Sequence, residues 1–313
     1  MGGPTKFSVV AETGEATVLS EYVAERRDKG AYQSEAALEK ALLGILQAQG
    51  YDYLPVKSEK ALIANLRERL EALNGIKFSA GEWRQFFSRE LSNSNLGIVE
   101  KTRTIQEDYI KVLRRDDGSH KNIRLLDKDN VHNNALQVTS QYVPEGGARK
   151  NRYDVTLLVN GLPLVHIELK RRGIDIREAF NQIRRYERES FWSGAGLFDY
   201  VQIFVISNGT LTKDYSNTTR EQHFREGAAG TARRAGTRAR ACSSFEFTSW
   251  WADARNRKIE DLTDFAPRGA RLESRRLLNP ERPEALEAAR GNPALKALHR
   301  CIFRTAGPKP RGF

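Results

Sequence analysis

Arg152-Tyr-Asp-Val-Thr-Leu-Leu-Val-Asn-Gly-Leu-Pro-Leu-Val-His-Ile-Glu-Leu-Lys170 joins two apolar, β-forming runs at Asn160-Gly161. Asn-Gly between such runs is the strongest short hairpin signal, because a tight hairpin turn needs residues that accept positive φ. Two acids and a lysine, Asp154, Glu168 and Lys170, therefore share one hairpin. Register decides whether they meet, since side chains alternate faces and a one-residue slip reverses them. A strict two-residue turn sets Asp154 against Ile167. A three-residue loop of Asn160, Gly161 and Leu162 pairs Val159 with Pro163, which sets Asp154 against Glu168 and Thr156 against His166. The spacing predicts this three-residue loop, with Asp154, Glu168 and Lys170 on one face. Tyr153, Val155, Leu157, Val165, Ile167 and Leu169 then pack the other.

Carboxylates opposed across two strands repel unless a cation lies between them. Hard oxygen ligands favour Mg²⁺ or Mn²⁺, which keeps waters and accepts a phosphate oxygen. The expected chemistry is metal-dependent hydrolysis of a phosphodiester, with Asp154 and Glu168 as metal ligands and Lys170 orienting or deprotonating the water or offsetting charge. Glu-x-Lys alone is usually a solvated ion pair, so its surroundings carry the argument.

Residues 175–189 read as a helix on which Phe180 and Ile183 face a sheet while Gln182 and Tyr186, one turn apart, reach the site. Arg177, Arg184, Arg185 and Arg188 share that helix. They are either contacts to DNA phosphates or a solvated face balanced by Glu178, Glu187 and Glu189. Upstream, Ser34 caps a helix with an apolar stripe of Leu38, Leu42, Ile45 and Leu46, ended by Gly50. Its Glu35 and Glu39 are one turn apart; either is a further candidate metal ligand, or an ordinary exposed glutamate.

Between these segments, residues 61–73 and 79–91 read as helices. Residues 108–116 and 134–143 read as strands, with 200–207 a buried strand closing the sheet and Gly146-Gly147 a loop. The expected fold is α/β, in the order α-β-β-β-α-β, with a mixed central sheet flanked by helices. The five histidines fit no zinc pattern, and Cys242 and Cys301 form no CxxC, which suits a reducing cytoplasm. His166 alone falls beside the predicted site. No membrane-length apolar run occurs, and Met1-Gly-Gly-Pro-Thr-Lys6 lacks the apolar core of a leader, so neither a membrane segment nor a leader is expected. The net charge of +11 is uneven: residues 1–220 hold 32 basic and 29 acidic groups, residues 221–313 hold 19 and 11. Nucleic-acid binding is therefore argued from the site rather than from overall charge.

Several strings carry a resemblance: Val159 to Lys170, Ala179-Phe-Asn-Gln-Ile183, Gln202-Ile-Phe-Val-Ile-Ser-Asn-Gly-Thr210 and Ser244-Phe-Glu-Phe-Thr-Ser-Trp-Trp-Ala-Asp253. With these, residues 142–219 resemble the PD-(D/E)xK nuclease domain of the R (restriction) subunit of type I restriction-modification enzymes. The resemblance implies Asp154 and Glu168 as metal-binding acids, Lys170 as catalytic lysine, and Gln182 with Tyr186 as the Gln-x-x-x-Tyr element, with Tyr153 replacing the usual proline. It also implies double-stranded DNA as substrate, and modification (M) and specificity (S) subunits as partners, S reading the DNA sequence. Residues 1–220 are expected to form the endonuclease domain, with a helical insertion at about 59–92, and residues 221–265 a linker. ATP belongs to a motor domain in this family; the chain has no GxxxxGK[ST] loop and reads as truncated before that motor. The Arg-rich stretch 227–241 and the tail 266–313 read as out-of-frame or disordered, the former alternatively as a basic arm. A remnant acting only in binding or assembly, and a stand-alone nuclease, are the other readings.

Overall fold

The computed structural model describes residues 9–12, 17–19, 33–145, 151–217, 244–252, 258–259 and 261–262. Gly146-Gly147, the stretch 227–241 and the tail 266–313 lie outside the described residues. Strands β1 (Val9–Glu12) and β2 (Thr17–Leu19) form a small antiparallel pair. Helix α1 (Glu35–Ala48) starts at Ser34, whose hydroxyl accepts the Ala37 N–H, and gives way to Gly50 at φ 90°. It buries Leu38, Leu42 and Leu46 along one stripe. Strand β3 (Asp52–Tyr53) and helices α2 (Glu59–Asn74), α3 (Ala80–Phe86) and α4 (Ile98–Gln106) follow, α3 running on into a wide turn at Phe87–Leu91. Ser58 caps α2, and Ser79 with Glu82 forms a reciprocal capping box on α3. Helix α4 was not anticipated, although Glu100 bonds back to the Gly97 N–H and marks its start.

Strand β4 (Ile110–Arg114), within the predicted 108–116, pairs with β5 (His120–Arg124) as a separate hairpin rather than joining the main sheet. The main sheet contains β6 (Leu136–Tyr142), β7 (Tyr153–Val159), β8 (Leu162–Leu169), β9 (Ile203–Ser207) and β10 (Thr212–Ser216), with helix α5 (Ile176–Glu189) between β8 and β9. Its strand order is β10-β9-β8-β7-β6-β3, with β8/β9 and β6/β3 parallel and the other pairs antiparallel. The core order α-β-β-β-α-β thus stands as expected. Strand β9 does not close the sheet, however. Asn208 bonds the Thr210 and Leu211 N–H groups through its side chain, which turns the chain back so that β10 covers β9. Residues 244–252 continue on the same edge, Asp214 and Ser249 exchanging backbone bonds. Beyond them lies the short pair β11 (Trp251–Ala252) and β12 (Lys258–Ile259). Among the described residues no helix is long and apolar enough to cross a membrane.

The β7–β8 hairpin reaches the expected register by an unexpected route. Val159 pairs with Leu162, so the loop holds only Asn160 and Gly161, at φ 50° and 82°. A bulge at Leu164 then shifts the ladder by one residue, from Leu158↔Pro163 to Leu157↔Val165, and sets Thr156 against His166. Pro163 has no N–H to give a ladder, and prolines within sheets gather at such irregularities. The three-residue loop is therefore replaced by a two-residue turn and a bulge, which sum to the same offset.

The turn is anchored from both sides. The Asn160 amide donates to Leu125 O (3.0 Å) and Asn134 Oδ1 (2.7 Å), and its carbonyl accepts the Ala135 N–H (2.8 Å). Gly161 lies against α2, where an added Cβ would fall 2.6 Å from Leu66 Cα. Gly161→Ala should therefore lower unfolding free energy by about 2–4 kcal/mol, from left-handed strain plus a clash with a helix backbone. Gly75→Ala, at φ 59° with open space around it, should cost only about 1 kcal/mol. Denaturant titration of both variants decides; equal losses would refute the packing account.

Candidate active site

Beyond Val155↔Ile167 the β7–β8 ladder opens. The Leu169 N–H donates instead to Asp154 Oδ2 at 2.9 Å, which turns the carboxyl across the hairpin towards Glu168. Both acids are buried, Glu168 with no exposed surface. The opening also moves Tyr153 from its expected place: its ring lies 5.5 Å from His166 and 4.9 Å from Tyr186, on the side of the site residues rather than across the sheet from them.

Lys170 Nζ lies 3.4 Å from Glu168 Oε1 and 4.0 Å from Glu35 Oε1, and donates to Leu169 O at 3.0 Å. Its own N–H bonds Ser207 O, so the parallel neighbour β9 holds the end of β8 in line. His166, fully buried, sits between Thr156 Oγ1 (3.4 Å from Nδ1) and Glu168 Oε2 (3.3 Å from Nε2).

Gln182 and Tyr186 meet as α5 geometry predicts: the Gln182 amide donates to the Tyr186 hydroxyl, which donates to Arg152 O at 2.8 Å. The pair therefore pins the backbone two residues before Asp154. Arg185 stacks beside Tyr186, 5.5 Å from its ring. Arg177 stacks on Phe245 at 4.4 Å, and Arg188 is solvent-exposed.

A cavity of about 590 Å³ opens beside Asp154, bordered by Glu35, Glu39, Tyr53, Gln141, Arg152 and Leu169 among others. Sequence reasoning missed Gln141. It faces Asp154 in the β6–β7 register, lies at φ 56°, and donates its amide to Glu39. A left-handed non-glycine inside a strand is the kind of strain that gathers at functional sites; side-chain pattern alone gives no signal of it.

Burial, and then the neighbouring Glu168 charge, push the Asp154 carboxyl up to about 7. Burial likewise raises Glu168 to about 7 against the opposing effect of Lys170. Two mutually close carboxyls, one lysine and an adjoining cavity suit a small divalent cation, which usually takes one or two carboxylates and retains waters. Among the described residues no three His, Cys, Asp or Glu side chains converge as a ligand cluster, so Glu35 and Glu39 border the cavity without completing a protein-only shell.

The mixed sheet, the crossover helix and the acid pair at the end of the hairpin define a restriction-endonuclease-like fold. Residues 32–223 match the family described as Type I restriction enzyme R protein N terminus, and the chain belongs to that family. Over 257 residues it is 45% identical to the type I restriction enzyme EcoprrI endonuclease subunit of Escherichia coli, covering 82% of this chain and 76% of that relative. It is 37% identical over 237 residues to the SauMSSORF170P endonuclease subunit of Staphylococcus aureus, covering 75% of this chain but 23% of the relative. A putative endonuclease subunit of Methanocaldococcus jannaschii is 28% identical over 173 residues, 51% of this chain and 16% of that protein.

Because both acids titrate higher in the folded chain than their ordinary 3.8 and 4.5, the folded state holds more protons than the unfolded between about pH 4 and 7. Metal-free stability should fall as pH rises through that window. His166, pushed down to about 4 by burial, has the opposite slope between about 4 and 6.5, but it is one group against two. Glu168→Gln should therefore raise the metal-free Tm at pH 8 by at least about 2 °C, the gain shrinking towards pH 5. Calorimetry across pH checks this; a gain independent of pH would show that the carboxyl's charge is not its source.

Proposed function

We propose that this chain is the nuclease portion of a type I restriction endonuclease subunit, hydrolysing phosphodiester bonds of duplex DNA. The observation that carries the reading is the pair of buried carboxyls on adjacent strands, with Lys170 3.4 Å from Glu168 and a cavity beside Asp154. Asp154 and Glu168 would hold the cation, Mg²⁺ or Mn²⁺, which when bound would supply an acidified water and offset charge on the phosphoryl oxygens. Lys170 orients the water and stabilises the extra negative charge of the transition state. Tyr186, with Gln182, fixes the strand that carries Asp154. Glu35 contributes through Lys170, and Glu39 through Gln141.

The endonuclease role agrees with the names of the relatives. In the assembled system we place the chain with modification and specificity subunits, with ATP-driven translocation supplied by a motor domain outside residues 1–313.

Plasmid cleavage in Mg²⁺, with and without cognate M and S subunits and ATP, tests the assignment. Asp154→Asn, Glu168→Gln and Lys170→Ala should each reduce cleavage at least about 100-fold. Tyr186→Phe, which loses the bond to Arg152 O and the acceptor of the Gln182 amide, should cost roughly tenfold. Cleavage unaffected by the first three would place the chemistry elsewhere. No cleavage by the intact chain in any mixture would leave it a binding or assembly module.

A further inference from the structure

The acids and the lysine leave one polar side chain at the centre of the hairpin without a role. His166 has no exposed surface, and its ring is boxed by aromatic neighbours: Tyr153, Tyr186 and Phe191 approach edge-on with centroids 5.5, 6.1 and 5.7 Å away. A histidine kept only to fill apolar space would leave its nitrogens unmet, at a cost comparable to a lost buried hydrogen bond. In this hairpin both are met, and along one line. Nδ1 lies 3.4 Å from Thr156 Oγ1 and Nε2 lies 3.3 Å from Glu168 Oε2.

The roles along that line follow from what each group can offer. With Glu168 ionised, as a cation ligand must be, its oxygen only accepts, so Nε2 carries the proton and donates. A neutral imidazole has one N–H, so Nδ1 accepts and the Thr156 hydroxyl donates to it. Thr156 thus selects the tautomer, and the tautomer directs a fixed N–H at one oxygen of Glu168. The other oxygen faces Lys170 at 3.4 Å. A carboxylate held on both oxygens cannot rotate about its last torsion, and a ligand so fixed binds a cation without first being ordered.

We propose that Thr156 and His166 form a positioning relay that fixes the rotamer of Glu168 for cation binding, His166 being a positioning residue rather than a catalytic one. This rests on the reading of Asp154 and Glu168 as cation ligands. It gives a polar purpose to the bulge at Leu164, since the shift places His166 as well as Glu168 on the face of Asp154 and sets His166 against Thr156.

Direct Mn²⁺ binding to the full chain, followed by electron paramagnetic resonance without DNA, tests the relay apart from activity. His166→Gln carries an amide N–H at about the reach of Nε2, whereas His166→Asn is equally polar but too short. The expected result is Mn²⁺ affinity within about threefold of the intact chain for His166→Gln and weakened at least about tenfold for His166→Asn. Thr156→Val, which keeps the shape and removes the hydroxyl, should weaken binding at least about threefold. Equal affinity for the Gln and Asn variants, whether intact or lost, overturns the relay. Glu168→Gln separates the two levels of the argument. If it abolishes Mn²⁺ binding while His166→Asn and Thr156→Val do not weaken it, only the relay fails; if it leaves binding unchanged, or the intact chain binds no Mn²⁺, the ligand assignment and the relay fail together.

Discussion

Two carboxyl groups held together out of water are the constraint around which the rest of the site is arranged. Each ionised carboxylate loses solvation on burial, and each raises the cost of ionising the other. The hairpin nevertheless fixes them there through backbone geometry, so the interaction is imposed on the acids rather than chosen by them. The Leu169 N–H, the His166 imidazole and the Lys170 ammonium offset part of the cost. What remains is an excess of negative potential beside a cavity, which the divalent cation proposed above would relieve. Buried charge that is only partly offset lowers stability, and the packed sheet below it has to supply that stability.

The surrounding packing reads as compensation of that kind. Tyr153, Tyr186, Phe191 and Phe198 form a continuous aromatic cluster around His166, with ring centroids between 4.6 and 6.1 Å apart. Across the sheet neighbourhood, Asn65 and Gln137 exchange both of their amide bonds, at 3.0 and 2.9 Å, which ties α2 to β6 in one register. Lys101, itself buried, donates to Gly196 O at 2.7 Å and pairs with Asp199, which fastens α4 to the turn before β9. These fully paired polar contacts admit one arrangement and exclude slipped ones. They hold the frame steady against the cost of the two buried acids.

How much of this was legible in the sequence depended on whether a feature is local. Helix starts at Ser34, Ser79 and Asp175 were legible because a cap is a bond across three or four residues, whereas the helix read from residue 61 begins two residues earlier, behind its cap Ser58. The candidate site was legible as Asp154, Glu168 and Lys170 because strand alternation brings them to one place, and Gln182 and Tyr186 because a helical turn aligns them. Gln141 was not, since its left-handed backbone is set by β7 and α1 rather than by its own neighbours. Strand β10 was missed for a similar reason: Thr212–Ser216 carries Lys213 and Asp214 among few apolar residues, and its burial comes from the segment 244–250 folding over it. The position of Tyr153 failed because alternation assumes an unbroken ladder, and in this hairpin a carboxylate replaces a ladder acceptor.

The bulge shows why the right register was reached from a wrong loop. Opposition of Asp154 and Glu168 requires an odd number of residues between paired positions of the two strands, and Asn160-Gly161 alone supplies an even number. A turn of three residues would satisfy the parity at the hairpin tip, but would remove the Val159↔Leu162 pair and displace Gly161 from its contact with Leu66. Placing the extra residue at Leu164 keeps the tight turn locked against α2 and delays the change of face until the strands have entered the core. The parity of the site is thus set by one residue next to Pro163, four positions from Glu168. Ironing the bulge into a regular ladder, with the residue kept, would leave two well-formed strands and a sound turn, with Ile167 instead of Glu168 set against Asp154.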